Sequence, residues 1–134
     1  MQKWLEMECS VFVYGSLLFC EVWEKLIGRK PKIHLSHVLG FRRYCVYGEF
    51  YPGMWFSNGE VVYGGHVCIS SAEQAKIQEY EGLEYIQTSV LVCIDNQSIP
   101  MSTFLRPPQN NLEWIHTWNE ELLSAHKDEF FRSI

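Results

Sequence analysis

Residues 11–18 read Val11-Phe12-Val13-Tyr14-Gly15-Ser16-Leu17-Leu18 and contain the first strand-to-turn junction that the sequence predicts. The β-branched and aromatic residues of 9–14 predict a first strand, which Gly15 and Ser16 end. Apolar residues then recur at helical spacing as far as Gly28, at Leu18, Val22, Leu26 and Ile27. The chain is thus predicted to open with a strand, a tight turn and a helix. Such a turn offers unpaired N–H groups to a carboxylate or an oxyanion, although an ordinary strand-to-helix turn has the same sequence.

Beyond this unit, the apolar runs predict mostly strands. The dipeptide Asn58-Gly59 lies between two apolar runs and predicts a hairpin turn. Gly64-Gly65 predicts a bulge or a close backbone approach. A turn near residues 95–98 is expected to join the last two strands. The predicted strands cover residues 32–39 and 42–47 around Gly40, then 61–69, 88–94 and 100–105, with a loop over 48–59.

Two further helices are predicted from their ends. Ser70 with Glu73, or Ser71 with Gln74, fits a capping box, and Gly82 ends that helix. Asn110 or Asn111 caps a last helix, with apolar residues on one face at Leu112, Ile115, Trp118 and Leu122.

The order of these elements indicates the fold class. Strands arrive in blocks and do not alternate strictly with helices, which predicts an α+β fold: a curved, mixed sheet or barrel with two or three packed helices. A length of 134 residues suits a single domain over 1–134. Residues 1–8 are expected to form a loose N-terminal extension, because Met7 could equally serve as the start.

The composition argues against several classes of protein. A net charge of −5 is unfavourable for a nucleic-acid-binding surface. No apolar run is long enough for a membrane span, and the N-terminus lacks a signal-peptide core, so we expect a cytoplasmic protein with no membrane partner. Five widely spaced cysteines without a CxxC motif predict buried free thiols, not a disulfide framework or a zinc site.

Glu81 is the first candidate for acid–base chemistry. It lies at the predicted C-terminal end of a helix, where the helix dipole disfavours a negative charge. The neighbouring rings of Tyr80 and Tyr85 could exclude water from it. Both effects raise a carboxyl pKa and favour a general base. The alternative is an exposed acid beside Glu79 and Glu84.

Two other segments are weaker candidates. The aromatic residues of 47–54, around Pro52-Gly53, could wall a pocket or could simply pin a loop. His34 and His37 have a spacing that suits a metal on a helix. They fall in a predicted strand, where their side chains point to opposite faces, so we predict no metal site.

Taken in order, four segments resemble the γ-glutamylcyclotransferase-like family, in its avirulence-induced-gene-like branch. The strand and turn of 11–18 resemble the family's N-terminal signature, and Gly48 with Tyr51-Pro52 resembles its glycine and Tyr-Pro element. Residues 61–67 resemble its V-x-G-x-V strand, and residues 77–85 resemble its aromatic-Glu-Gly-x-x-Tyr helix end. The similarity spans residues 10 to about 106.

The resemblance implies a mixed β-barrel with flanking helices. It implies Glu81 as the proton acceptor and a small-molecule γ-glutamyl substrate, with no metal and no cofactor. Backbone N–H groups of residues 14–17 are implied to hold the glutamyl end. The substrate-binding residues implied by the family are Val13, Tyr14, Gly15, Ser16, Leu17, Leu18, Tyr51 and Tyr85.

The implied reaction is the cyclisation of a γ-glutamyl amide to 5-oxoproline with release of an amine. Three positions depart from the family pattern: Gln78 replaces an Asp, Gln87 an Arg and Phe104 a late tyrosine. These departures favour an alternative, a non-catalytic module that binds a small ligand on the same fold. A third hypothesis is a related transferase or lyase that acts on a protein isopeptide or a γ-glutamyl amine.

Overall fold

The computed structural model describes residues 9–134, with only the backbone of Cys9. The expected extension over residues 1–8, and Met7 within it, lies outside this range. The strands are β1 Cys9–Val13, β2 His34–Cys45, β3 Pro52–Ile69, β4 Ile86–Ile94 and β5 Gln97–Leu105. The helices are α1 Cys20–Ile27, α2 Ser71–Glu81, α3 Asn111–Ile115, α4 Glu120–Ala125 and α5 Lys127–Ser133, and a 3₁₀ turn spans Ser16–Leu18.

The five strands close into a barrel in the order β1-β3-β2-β4-β5. β1 pairs in parallel with β5, at Val11 and Ser102, and every other pairing is antiparallel. The barrel closes through two short pairings, β1 with β5 at one residue pair and β2 with β4 at two. The predicted α+β fold, a mixed barrel with flanking helices, is therefore confirmed.

Strand β1 is buried on both faces, which explains its apolar sequence. Phe12 and Tyr14 belong to a core cluster that includes Val38 and Met54, whereas Val11 and Val13 belong to a second cluster. Successive side chains of a strand point to opposite faces, so β1 contributes to both clusters. The second cluster joins the barrel to the helices through Trp23, Ile77 and Phe130, and to the segment between α3 and α4 through Trp118.

The prediction of two strands around Gly40 is wrong. β2 is continuous, and its pairing with β3 shifts register between Leu39 and Phe41. Gly40 has φ +84°, so the glycine produces an irregularity inside a strand and not a break between strands.

The predicted hairpin at Asn58-Gly59 is also wrong, because these residues lie inside β3. On one side of them Phe56 pairs with Phe41, and on the other Val61 pairs with Leu39. Both flanks of the dipeptide thus pair with β2, not with each other. The β2–β3 connection is instead made by residues 46–51. The close backbone approach predicted at Gly64-Gly65 is present, since a Cβ on Gly64 would lie 2.2 Å from the Val13 carbonyl oxygen.

Helix α2 has the predicted ends. Ser70 accepts a hydrogen bond from the Glu73 N–H, the Glu73 side chain accepts one from the Ser70 N–H, and Gly82 ends the helix with φ +82°. This capping box satisfies two of the donors that a helix leaves unpaired at its start. Helix α1 ends as predicted at Gly28, which has a left-handed conformation.

The predicted single C-terminal helix is three short helices. Asn110 caps the first as expected, but the chain leaves the helix at His116, whose carbonyl oxygen accepts a hydrogen bond from the Cys45 N–H at 2.7 Å. Asn119 then caps a new helix through the Leu122 N–H. The His116 carbonyl oxygen thus accepts a hydrogen bond from strand β2, whereas in a continuous helix it would accept one from a later helical N–H. Leu112 and Ile115 remain 62% and 61% exposed.

The cysteines and the helices test two more expectations from the sequence, buried free thiols and the absence of a membrane-spanning segment. Cys20, Cys45, Cys68 and Cys93 are free, as predicted, but none of these four thiols is fully buried: Cys68 is exposed and the other three are half-buried. Within residues 9–134, no helix has the length and apolar character needed to cross a bilayer.

Candidate active site

A cavity of about 800 Å³ opens where β1 leaves the barrel. Its volume falls in the range of small-ligand sites. The cavity brings together eight of the nine residues predicted from the sequence: Val13, Tyr14, Gly15, Ser16, Leu17, Tyr51, Glu81 and Tyr85.

Leu18 is the ninth predicted residue, and it does not line this cavity. Its side chain lines a separate shallow depression with Ile33 and Gly64. Its N–H donates to the Gly15 carbonyl oxygen at 2.9 Å, so the Leu18 amide is already used within the turn. Leu18 therefore lies outside the cavity that the other eight predicted residues line, because the 3₁₀ turn directs it elsewhere.

The turn at Gly15, Ser16 and Leu17 presents backbone donors to the cavity. The first hydrogen bond of the turn is the one donated by Leu18, so the three preceding amides have no partner within it. The turn itself is held rigidly, since the Trp23 indole N–H donates to the Leu17 carbonyl oxygen at 2.7 Å. Such a row of fixed N–H groups suits a carboxylate or a developing oxyanion.

Gly15 is required by a close contact with Pro52. A Cβ at position 15 would lie 2.5 Å from the Pro52 Cδ atom, which is too close for any side chain. Pro52 in turn accepts a hydrogen bond from the Tyr85 hydroxyl at 2.8 Å. The amide turn, the start of β3 and Tyr85 thus form one connected wall.

Glu81 is the last residue of α2 and lines the cavity. Burial raises the pKa of its carboxyl to about 8, in the direction that its aromatic neighbours predict. No group among residues 9–134 forms a hydrogen bond or an ion pair with this carboxylate. A carboxyl group in this state can accept a proton near neutral pH and return it.

Three tyrosines around Glu81 have their hydroxyls engaged. Tyr14 donates to the Phe104 carbonyl oxygen, Tyr85 donates to Pro52, and Tyr80 shares a hydrogen bond of 2.7 Å with Ser16. Burial is the main cause that raises the pKa of each, and the charge of Glu81 adds to it. These hydroxyls remain protonated, so Glu81 is the group in this cluster suited to proton transfer.

The aromatic loop over residues 46–51 lines the cavity and is also held in place by hydrogen bonds from other segments. Tyr51 and Glu49 line the cavity. The loop is fixed from the C-terminal region, because the Trp118 indole donates to the Phe50 carbonyl oxygen at 2.8 Å and the Tyr47 N–H donates to Glu113 at 2.8 Å. The two alternatives left open by the sequence are therefore both present.

Sequence reasoning missed part of the lining. Leu26 and Lys76 lie on helices that were predicted but not assigned to the site. Phe130, Ser133 and Ile134 lie beyond the predicted last helix. The spacing of Phe130 and Ile134, four residues apart, was the available helical signal.

His34 and His37, both on β2, have different ring neighbours. His34 stacks on His66 at 5.1 Å between ring centroids, while His37 lies against Tyr63. Over the described part of the chain, no three metal-ligating side chains come together.

A family model and curated relatives of this chain point to the same family. The model of a family described as "Gamma-glutamyl cyclotransferase, AIG2-like" matches residues 11–121. AIG2-like protein C of Arabidopsis thaliana is 32% identical over 130 residues, which cover 91% of this chain and 73% of that protein.

Solved structures show the same fold. An Arabidopsis thaliana protein solved in solution superposes with a TM-score of 0.74 at 26% identity, over 94% of this chain and 87% of its own. A structure named gamma-glutamyl cyclotransferase gives a TM-score of 0.66 at 16% identity, over 76% of this chain and 68% of its own.

Proposed function

The chain belongs to the gamma-glutamyl cyclotransferase, AIG2-like family, and from this premise we propose that it converts a γ-glutamyl amide into 5-oxoproline and a free amine. The observation that carries the proposal is the position of Glu81. This acid has a pKa raised to about 8 by burial and lines one cavity with Gly15, Ser16 and Leu17, whose amides have no partner within their turn. A base and an oxyanion site are the two elements that the cyclisation needs.

The reaction begins with a proton transfer to Glu81. The substrate is R–NH–CO–CH2–CH2–CH(NH3⁺)–COO⁻, and the Glu81 carboxylate takes one proton from its α-ammonium group. The freed amine attacks the γ-carbonyl carbon, and a C–N bond closes a five-membered ring. The nucleophile belongs to the substrate, so the protein needs no serine or cysteine nucleophile and acts by holding the reactive rotamer.

The tetrahedral intermediate carries an oxyanion and a positively charged ring nitrogen. The N–H groups of residues 15–17 donate to the oxyanion. Glu81 returns its proton to the departing nitrogen, and the original C–N amide bond breaks. The ring nitrogen gives up its second proton, which the free amine takes to become R–NH3⁺. Both protons lost by the α-ammonium thus end on the leaving amine, and 5-oxoproline keeps its carboxylate.

The test is an assay of 5-oxoproline release over a panel of γ-glutamyl compounds. The panel contains γ-glutamyl amino acids, γ-glutamyl amines, glutathione and γ-glutamyl-ε-lysine, the last representing an isopeptide. Wild type should release 5-oxoproline from at least one of them, and the Glu81→Gln variant from none. Near-normal turnover by a folded Glu81→Gln variant would contradict the mechanism.

A second candidate is a non-catalytic module that binds a γ-glutamyl or similar ligand. It is favoured by Phe104, which lines the cavity with a ring that lacks a hydroxyl. On this alternative, panel compounds would raise the melting temperature of the wild type while no 5-oxoproline forms. Turnover that depends on Glu81 would exclude it.

A further inference from the structure

The cavity has two ends, which are defined by the antiparallel arrangement of α1 and α2. Ser16, just before α1, meets Tyr80 at the C-terminal end of α2. Arg29, just after α1, forms an ion pair of 2.7 Å with Glu73 at the N-terminal end of α2. Glu81 and the amide turn therefore mark one end of the cavity, which we call the catalytic end.

Leu26 and Lys76 mark the opposite end. Lys76 precedes Glu81 by five residues, which is about 8 Å along a helix axis. Leu26 lies in the last turn of α1, next to the Arg29–Glu73 ion pair and far from the amide turn. Both residues line the same cavity as Glu81.

The last helix, α5, places its end at this distal end. Lys127 lies 3.8 Å from Glu21, and the Lys25 ammonium donates to the Phe131 carbonyl oxygen at 2.8 Å. These contacts join early residues of α5 to early α1 and later residues to later α1, so the two helices run in parallel. Ser133 and Ile134 therefore lie level with the end of α1, and they line the same cavity as Leu26.

We propose that α5 and Ile134 form a subsite for the leaving amine, which selects amines that carry an apolar side chain and a carboxylate. The proposal rests on the proposed function, because it assumes that the glutamyl group occupies the catalytic end. The scissile amide then directs its nitrogen substituent toward the distal end.

The lining of this subsite specifies the chemistry of the amine. Leu26, Phe130 and Ile134 give an apolar wall, which favours a branched or aromatic side chain. Among the described residues, Lys76 is the one cationic side chain that lines the cavity, and it suits a carboxylate on the amine. Phe130 and Ile134 lie beyond residues 11–121, the part matched by the family model, whereas Leu26 and Lys76 lie within it.

The test compares kcat/KM for three compounds: γ-glutamyl-leucine, γ-glutamyl-glycine, which lacks the apolar group, and γ-glutamyl-3-methylbutylamine, which lacks the carboxylate. We expect wild type to prefer the leucine compound over the glycine compound by about 10-fold or more. The Ile134→Asp variant should reduce this ratio by about 10-fold. The matched control is Ile115→Asp, which makes the same change on an exposed residue outside the cavity and should leave the ratio unchanged.

The carboxylate is tested separately. Lys76→Gln should lower the ratio of the leucine compound to the 3-methylbutylamine compound by about 5- to 10-fold. Lys30→Gln is the matched control, because Lys30 lies outside the cavity and pairs with Glu24 at 3.6 Å. If Ile134→Asp proves unfolded, Leu26→Gln replaces it, since Leu26 contributes to the same wall from another helix.

The outcomes separate this inference from the proposed function. Release of 5-oxoproline at equal efficiency from all three compounds, or ratios that Ile134→Asp leaves unchanged, would overturn the subsite and leave the cyclotransferase intact. No release from any compound would overturn the proposed function. Thermal shifts then decide the subsite: γ-glutamyl-leucine should raise the melting temperature more than γ-glutamyl-glycine does, and equal shifts would overturn it.

Discussion

Glu73 and Glu81 lie on the same helix, eight residues apart, and differ in helix end, in hydrogen-bond partners and in the direction of their pKa shift. Glu73, at the N-terminal end, accepts hydrogen bonds from Arg29, which lower its pKa to about 2 despite partial burial. Glu81, at the C-terminal end, has no partner among the described residues, and burial raises its pKa to about 8.

The comparison shows how one helix produces a structural acid and a candidate catalytic acid. The N-terminal end of a helix favours negative charge, and Arg29 adds a further positive charge there. The C-terminal end disfavours it, and the rings around Glu81 remove water without supplying a donor. We therefore expect Glu73 to contribute to stability and Glu81 to turnover, and substitutions at the two ends can separate these roles.

The largest expected effect is on turnover. Glu81→Gln should lower kcat by about 1,000-fold or more, because the variant can neither accept the ammonium proton nor return it. Glu73→Gln makes the same chemical change at the other end of the helix and should keep kcat within about 3-fold. The measurement is 5-oxoproline release by the two purified, folded variants. Equal losses in both would mean that Glu81 acts only through the fold.

The second-largest effect on turnover is expected at Gly15, in the amide turn. Gly15→Ala places a Cβ against Pro52 and should lower kcat/KM by about 10- to 100-fold, because the amide turn or the Pro52–Tyr85 contact must shift. The Gly15→Ala, Pro52→Ala double variant removes the obstructing ring and should recover part of the loss. A double variant that is worse than the sum of the single variants would contradict this explanation.

Opposite effects on stability are expected at the two ends. Because the folded pKa of Glu73 is lowered, its contribution is present above about pH 4.5 and is lost as pH falls toward 2. Glu73→Gln should thus lower the melting temperature at pH 7 by a few degrees, and the difference should shrink in acid. The folded pKa of Glu81 is raised, so wild type loses stability between about pH 4.5 and 8.

The Glu81→Gln variant should follow the opposite course. It should match wild type near pH 4 and exceed its melting temperature by a few degrees at pH 9, where the wild-type carboxyl must be charged. Melting curves from pH 2 to 9 on wild type and both variants check the two signs. A Glu81→Gln variant that is less stable than wild type at pH 9 would contradict the account of burial.

The smallest expected effect concerns the hydrogen bond between Tyr80 and Ser16. Tyr80→Phe removes a bond of 2.7 Å and should reduce stability by about 1 kcal/mol. Turnover should fall only about 2- to 5-fold, because the turn is also held by the Trp23 indole. Ser16→Ala removes the same bond from the other side, and the two losses should not add.

Local features of the site could be predicted from the sequence because their causes are local. The Ser70–Glu73 cap, the Gly82 helix end and the turn at Gly15 each depend on a few neighbouring residues. They place Glu81 at a helix terminus beside aromatic rings. The family resemblance supplied the ligand-facing role of the turn, which local reasoning alone left open.

Features that depend on pairing between distant segments were missed. Asn58-Gly59 has the sequence of a hairpin turn, but the residues on both sides of it pair with β2. That pairing depends on how β2 and β3 align in the barrel and not on the dipeptide itself. The C-terminal region breaks into short helices because Cys45 takes the His116 carbonyl. Ile134 lies in the cavity because α5 contacts α1, about 100 residues earlier in the sequence. No pattern of neighbouring residues predicts a contact between such distant segments.

Measuring the pKa of the Glu81 carboxyl in the folded protein tests directly whether this acid can act as a base near neutral pH. Carboxyl ¹³C resonances of glutamate-labelled wild type and Glu81→Gln are followed by NMR from pH 4 to 10. If burial raises the Glu81 pKa, one resonance titrates near pH 8 in wild type and is absent from the variant. The value of kcat/KM for 5-oxoproline release should rise through the same pH. A Glu81 resonance that titrates near the ordinary value of about 4.5 would contradict it.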